Sequence, residues 1–293
     1  MLTIDLGGTR VKAALFDRGA VGDLVVVDHG ADALEPALQA VDQLIQRLAP
    51  HGVKAVGLCV PGLVDDEGRV VALPGKLEGI VGADLVGWLR ARTGGSAIVV
   101  NDAIAYGVGA AAELPGRTVV VTLGTGVGTA VIENGRPLGA GPLGGGLLGG
   151  QLPLTADGPP DTSGRGGTIE GWCRAARLLA EVRQAGFAAA DVPSACDAAL
   201  AGQPQAVRGV QNYRAWLARA VAALCLAYTP DTVVLGGGPV RPDGLLVDGL
   251  AEQVQPYLWP SQHLQVRASE HGDAAALMGL SRLARAAAPE GER

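Results

Sequence analysis

Residues 2–16, Leu2-Thr3-Ile4-Asp5-Leu6-Gly7-Gly8-Thr9-Arg10-Val11-Lys12-Ala13-Ala14-Leu15-Phe16, decide the fold. Two strand-like runs, 2–5 and 11–16, flank Gly7-Gly8, the pattern of a strand, a glycine turn and a return strand. The pattern comes back at Leu123-Gly124-Thr125-Gly126-Val127-Gly128, set between the strand-like runs 118–123 and 129–132. A glycine-rich hairpin lets the backbone approach an anion and aim N–H groups at it. Two of them, one opening each half of the chain, predict a duplicated fold that clamps a polyphosphate. Chance repetition is the competing reading, because the chain has 45 glycines in 293 residues, about twice the usual ~7% share.

Strand and helix signals alternate around the hairpins. Residues 24–27 read as a third strand. Residues 34–48 put Leu34, Leu38, Val41, Leu44, Ile45 and Leu48 on one helical face. A strand at 53–60 ends at Pro61-Gly62, a helix covers 83–92, and an apolar strand at 97–100 ends at Asn101-Asp102 before a small-residue helix at 103–114. After 117 the pattern restarts, with helices over 169–185 and 210–228, a strand at 231–235 running into Gly236-Gly237-Gly238, and a closing helix from 274. The Gly- and Pro-rich segment 135–167 has no clear period. The order describes a mixed α/β chain with two domains, 1–115 closed by the helix 274–293, and 116–273.

Composition narrows the function. With 48% hydrophobic residues but 3% aromatic, the core is built from Ala, Val and Leu. A net charge of -6 argues against a nucleic-acid surface, which is normally basic. The longest apolar stretch, 220–228, is half a membrane span, and the first residues lack the layout of a secretion signal. Cys59, Cys173, Cys196 and Cys225 form no close pairs, so a reducing cytoplasm is expected. The four histidines lack metal spacing and read as surface residues.

Each motif has a chemical and a plain reading. Asp5, ending a buried strand, suits a magnesium ion held through water, with Thr9 and Arg10 on phosphate; an ordinary turn with an exposed Arg is the alternative. Asp102 stands where a strand meets a helix, the place where open α/β sheets gather ligands. A carboxylate there suits the proton acceptor of an attacking hydroxyl, or merely the cap of the next helix. The Gly124–Gly128 run resembles a dinucleotide fingerprint, but it is followed by β-branched residues and Asn134-Gly135. That is a strand and tight turn rather than a helix, so a phosphate hairpin is favoured over NAD. Gly237 in its glycine run suits a nucleoside contact or a plain loop. Glu170, just after Thr168, is adequately explained by helix capping.

Taken together, IDLGGTRVKAALFD, VPGLVDDEGRV, VNDAIAYGVGAAAE, LGTGVGTAVIENGRPL, VVLGGGP and GDAAALMGL resemble the ROK family of bacterial sugar kinases, which includes glucokinases, over essentially the whole chain. The resemblance implies a two-lobed actin-like (ribonuclease H-like) ATPase fold with ATP and Mg2+ in a cleft between the lobes, and phosphorylation of a hexose, glucose by default. It implies Asp102 as the base and Asn101, Gly62, Glu170 and the residue at the Gln151 position as sugar contacts. Phosphates would lie on Gly7, Gly8, Thr9, Gly124, Thr125 and Gly126, and the nucleoside near Gly237. Dimers are common in the family, so a homodimer is the assembly to test. The chain starts at the phosphate strand without the helix-turn-helix of repressor relatives, which speaks for an enzyme.

Departures accompany the match. At the family's four zinc-ligand positions stand Gln151, Asp161, Ser163 and Thr168. An oxygen-rich set of this kind does not make a zinc–thiolate site, so no structural zinc is expected. Leu148 replaces a sugar-binding glutamate and Ala72 an asparagine. A non-catalytic sugar- or nucleotide-binding protein, a kinase for another sugar and a polyphosphate-dependent kinase are the alternatives.

Overall fold

The computed structural model describes residues 1–17, 20–30, 33–73, 75–138 and 144–287. Its contacts group into two units. The first is Met1–Ala112, Gly135–Leu147 and Asp273–Arg293, and the second is Glu113–Asn134 and Leu148–Gly272. The irregular segment from Gly135, expected with the second lobe, is thus grouped with the first. The last part of the expected closing helix, 288–293, lies outside the described residues.

In the first unit, β1 (Leu2–Leu6) pairs antiparallel with β2 (Arg10–Asp17), Asp5 opposite Lys12. On its other side β1 runs parallel to β5 (Ala55–Val60), and β5 runs parallel to β8 (Ser96–Asn101). The outer strands β3 (Ala20–Val21) and β4 (Val25–Asp28) both pair with β2. A small hairpin, β6 (Leu63–Val64) with β7 (Val70–Ala72), stands apart, and β11 (Arg136–Pro137) is a short strand of the Gly135–Leu147 segment. Period-2 alternation divides β1. Leu2, Ile4 and Leu6 join Leu58 and Val60 in a core with Val41, Leu44 and Ile45 of α1 (Leu34–Leu48), whose bounds match the expected helix. Helix α2 (Leu85–Thr93) is capped by Asp84, which accepts from Gly87 N, and ends in left-handed Gly94.

The opposite sheet face is covered by α3 (Asp102–Ala111) and α9 (Ala275–Ala287), with Ala14, Phe16, Cys59, Ala105, Leu277 and Leu280 packed together. These helices meet backbone to backbone. A Cβ on Gly109 would lie 1.8 Å from Ala275 O, and one on Gly279 1.8 Å from Ala105 O. Only glycine fits there, so the small-residue composition of both helices is a packing requirement of the helix that begins with Asp102.

The second unit repeats the plan. β9 (Arg117–Leu123) pairs antiparallel with β10 (Val127–Glu133), then parallel with β12 (Thr232–Gly236), which pairs parallel with β13 (Gln265–Ala268). All of β12 is buried, as its unbroken apolar run predicts. Asn134 and Gly135 both have positive φ, 49° and 77°, the turn their sequence implies. The helix expected over 169–185 is two, α4 (Ile169–Cys173) and α5 (Ala175–Gln184), because Arg174 is extended at φ −63°, ψ 156°. The long helix begins earlier than expected, at Pro204 (α7, Pro204–Tyr228), and α6 (Val192–Leu200) and α8 (Leu250–Val254) had no clear sequence signal. Trp172 of α4 stacks on Trp216 of α7 with ring centroids 3.7 Å apart. Among the described residues no helix is long and apolar enough to cross a membrane.

Candidate active site

In the first unit the parallel strands β1, β5 and β8 bring three turns to one sheet edge: Gly7-Gly8, Pro61-Gly62 and Asn101-Asp102. Gly7 N donates to Arg10 O at 2.9 Å and closes the hairpin. A Cβ on Gly8 would meet nothing within 4 Å, so the backbone there is open to a ligand, and Thr9 and Arg10 are exposed beside it. His29, expected at the surface, is half-buried. Its Nε2 lies 3.0 Å from Gly7 O, and its backbone N–H donates to Thr9 O at 3.0 Å.

Asp5 lies on the α3/α9 side of β1, and Cys59 Sγ donates to its Oδ1 at 3.3 Å. Asp102 is close enough to feel that carboxylate. Burial, and then the negative charge of Asp5, push its carboxyl up to about 6, against the lowering effects of the Ala103 N–H, Lys76 and Asn101. Burial, with Asp5 and Asp102 nearby, also pushes the Cys59 thiol up, so it stays protonated and donates. The cap of α3 is Asn101 rather than Asp102. Asn101 Oδ1 accepts from Ile104 N at 3.1 Å, and its Nδ2 donates to Gly62 O at 2.7 Å. Asp102 is the first helical residue, half-buried, its Oδ1 taking Ala103 N at 2.8 Å. Gly62 has φ +95°, and a Cβ there would lie 2.6 Å from Ala72 O, so Gly62, Ala72 and Asn101 form one cluster. Magnesium keeps several waters and needs few carboxylates; Asp5 beside Asp102 fits an ion held through water.

In the second unit Gly124 N donates to Gly126 O at 2.9 Å and leaves Thr125 exposed at the tip. The break at Arg174 has a use: Ala175 N, opening α5, donates to Gly124 O at 2.8 Å. Gly237 has φ +91°, and its Cβ would sit 2.1 Å from Leu123 O, so the glycine run after β12 lies against the start of the hairpin. The structure therefore brings Gly124, Thr125, Gly126 and Gly237 together.

Glu170 is buried against the same turn. Its Oε2 accepts from Val127 N at 3.0 Å, and its Oε1 accepts from Thr162 N at 2.7 Å and Thr162 Oγ1 at 2.6 Å. A carboxylate offers roughly four acceptor positions, so about one is left for a ligand. The capping role belongs to Thr168, which accepts from Gly171 N at 3.1 Å. Gln151 is half-buried and accepts from Arg165, and Leu148 is exposed.

Gln151, Asp161, Ser163 and Thr168 come together, but around Arg165 and the Asp161 carboxylate. Asp161 takes Ser163 N at 2.8 Å, Ser163 Oγ at 2.7 Å, Arg165 N at 3.0 Å and Thr168 Oγ1 at 3.3 Å. With no thiolate or imidazole and both Asp161 oxygens engaged, this set does not fit zinc. Among the described residues no group of three or more His, Cys, Asp or Glu side chains is arranged to hold a metal. Cys59, His29, Lys76, Thr162 and Arg165 carry no motif that marks them in the sequence; only the register opposite Asp5 and the folded turns reveal them.

The ROK family model matches residues 1–287. The N-acetylmannosamine kinase of Escherichia coli O9:H4 (strain HS) is 30% identical over 288 residues, 97% of each chain. Among solved structures, a ROK hexokinase from Thermus thermophilus has a TM-score of 0.79 and 28% identity, covering 98% of both chains. A ROK family glucokinase from Streptomyces griseus, in complex with glucose and AMPPNP, has a TM-score of 0.83 and 24% identity, covering 97% of this chain and 99% of that one.

Proposed function

The chain belongs to the ROK family and is a sugar kinase, and from that premise we propose that it moves the γ-phosphoryl group of ATP to the primary hydroxyl of a hexose, with Asp102 as the base. The observation that carries this reading is the shared edge of the first unit, where parallel β1, β5 and β8 deliver the open Gly7-Gly8 turn and Asp102 to one side, with Asp102 within reach of the Asp5 charge. In the reaction the hydroxyl oxygen bonds to the γ-phosphorus, the bond from that phosphorus to the β–γ bridging oxygen breaks, and ADP leaves with the electron pair. The hydroxyl proton passes to Asp102. With its carboxyl at about 6, Asp102 is largely ionised at pH 7 and still basic enough to accept a proton, the poise that general-base catalysis favours.

The backbone N–H groups of Gly8 and Thr9, with the Arg10 guanidinium, would hold phosphate oxygens, while Gly124, Thr125 and Gly126 offer the second hairpin and Gly237 a surface for the nucleoside. Magnesium accompanying ATP would neutralise phosphate charge, with Asp5 holding it through water. Asn101, fixed by Gly62 O and Ile104 N and hydrogen-bonded to Asp102, would hold the base beside a sugar hydroxyl, and Glu170 and Gln151 would supply polar contacts in the second unit. The AMPPNP complex of the S. griseus glucokinase supports ATP as donor.

For the acceptor, the similarity to N-acetylmannosamine kinases at 30% identity supports testing that sugar alongside glucose. Leu148 and Ala72, where polar sugar contacts are common, fit an acceptor less dependent on those hydrogen bonds. The test is ADP release with magnesium ATP over glucose, mannose, glucosamine, N-acetylglucosamine and N-acetylmannosamine. We expect turnover of at least one, with a hexose 6-phosphate as product. ATP binding without release for any acceptor would instead make the chain a non-catalytic binding protein.

A further inference from the structure

The turn 161–165 is built around one buried carboxylate. Asp161 is 4% exposed, and Ser163 N, Ser163 Oγ and Arg165 N all donate to its Oδ1. Its backbone closes the turn from both sides, Asp161 N to Arg165 O at 2.8 Å and Gly164 N to Asp161 O at 3.1 Å. The Arg165 guanidinium lies 3.4 Å from Asp161 Oδ2, donates to Ser163 Oγ at 2.9 Å and reaches Gln151 Oε1. Burial opposes the Asp161 charge, but the donors from Ser163 and Arg165 outweigh it and hold the carboxyl below its ordinary range.

Thr162 stands in the middle of this turn. It is exposed, yet both its N–H and its hydroxyl are directed at Glu170 Oε1. Glu170 in turn holds Val127 N at the hairpin, and a Cβ on Gly126 would lie 2.6 Å from Glu170 Oε2, so a side chain there would push on that carboxylate. A turn held by a single carboxylate therefore fixes the orientation of a second carboxylate.

We propose that Asp161, with Arg165, is a positioning residue: it holds Thr162 against Glu170 and so sets the affinity of the second unit for the acceptor without touching it. The device consists of hydrogen bonds and one ion pair, at the positions of the family's zinc ligands, where no zinc was expected in this chain. It rests on the reading of Glu170 as a sugar contact.

The experiment compares full-length wild type, Asp161→Ala, Thr162→Val and Thr162→Ser by steady-state kinetics, together with hydrogen-exchange mass spectrometry of peptides spanning 161–165. Thr162→Val is expected to raise the acceptor KM roughly tenfold, the effect of losing one hydrogen bond to a charged group, with the ATP KM within about twofold. Thr162→Ser, which keeps the hydroxyl, is expected to stay near wild type. Asp161→Ala is expected to raise the acceptor KM and to speed exchange in the turn, and chelator treatment followed by magnesium is expected to leave wild type unchanged. An unchanged acceptor KM in Thr162→Val, equal rises in both KM values, unchanged exchange in Asp161→Ala, or a chelator-sensitive acceptor KM would each overturn the proposal. If Asp161→Ala does not fold, Asp161→Asn is read by the same criteria. Exchange needs no turnover, so a wild type inactive on every sugar sinks the kinase reading alone, while unchanged exchange sinks this one.

Discussion

Asp102 in the first unit and Glu170 in the second invite comparison, because each accompanies a glycine hairpin built on the same plan of one antiparallel and two parallel strand pairings. Asp102 is half-buried, takes one backbone N–H at 2.8 Å and has the negative Asp5 nearby, so its carboxyl is pushed up to about 6. Glu170 is buried, and its two oxygens are held by Val127 and Thr162. One carboxylate is pushed up by burial and a like charge; the other is held by three hydrogen-bond donors. The hairpins differ in the same way. Gly8 faces open space, whereas Gly126 is pressed against Glu170. The two units share a strand-pairing plan, and the surroundings of their carboxylates differ.

The largest effect is expected from Asp102→Asn, which should lower kcat by about 10²–10⁴, the usual contribution of a general base, with ATP affinity by calorimetry near wild type. Comparable losses in Asp102→Asn and Glu170→Gln would break the division of tasks. Next comes the pair Gly126→Ala and Gly8→Ala. The first forces a methyl into Glu170 and should lower stability by about 1–3 kcal/mol in denaturant unfolding. The second meets no atoms and should change stability by less than about 1 kcal/mol, while weakening ATP binding. Equal destabilisation of the two would mean the hairpins are braced alike. Gly279→Ala supplies a scale for a backbone clash and should destabilise at least as much as Gly126→Ala.

Much of this was legible in the sequence. The hairpins, α1 and the Asn101-Asp102 junction follow from turn glycines, a 3.6-residue period and an apolar strand meeting a small-residue helix, all local signals. The break at Arg174 was not legible, because Ile169 to Gln184 has helical character throughout and only the tertiary bond from Ala175 N to Gly124 O accounts for the interruption. Helix α6 escaped because its Val-Pro-Ser start and run of alanines give a weak periodic signal, although Asp191 and Ser194 form a capping box there. At the site, the strand–helix junction drew attention to Asp102 and only the family resemblance to Glu170, and neither indicated what surrounds them. Cys59 meets Asp5 across a parallel register 54 residues apart, and Thr162 reaches Glu170 only once the 161–165 turn is closed.

The pH dependence of kcat/KM for the acceptor, measured at saturating magnesium ATP, tests the role of Asp102 most directly. A base whose carboxyl sits at about 6 is lost by protonation as pH falls, so log kcat/KM should be level above pH 7 and fall with unit slope below about 6. A profile flat down to pH 5, or one whose acid limb survives unchanged in the residual activity of Asp102→Asn, would contradict it.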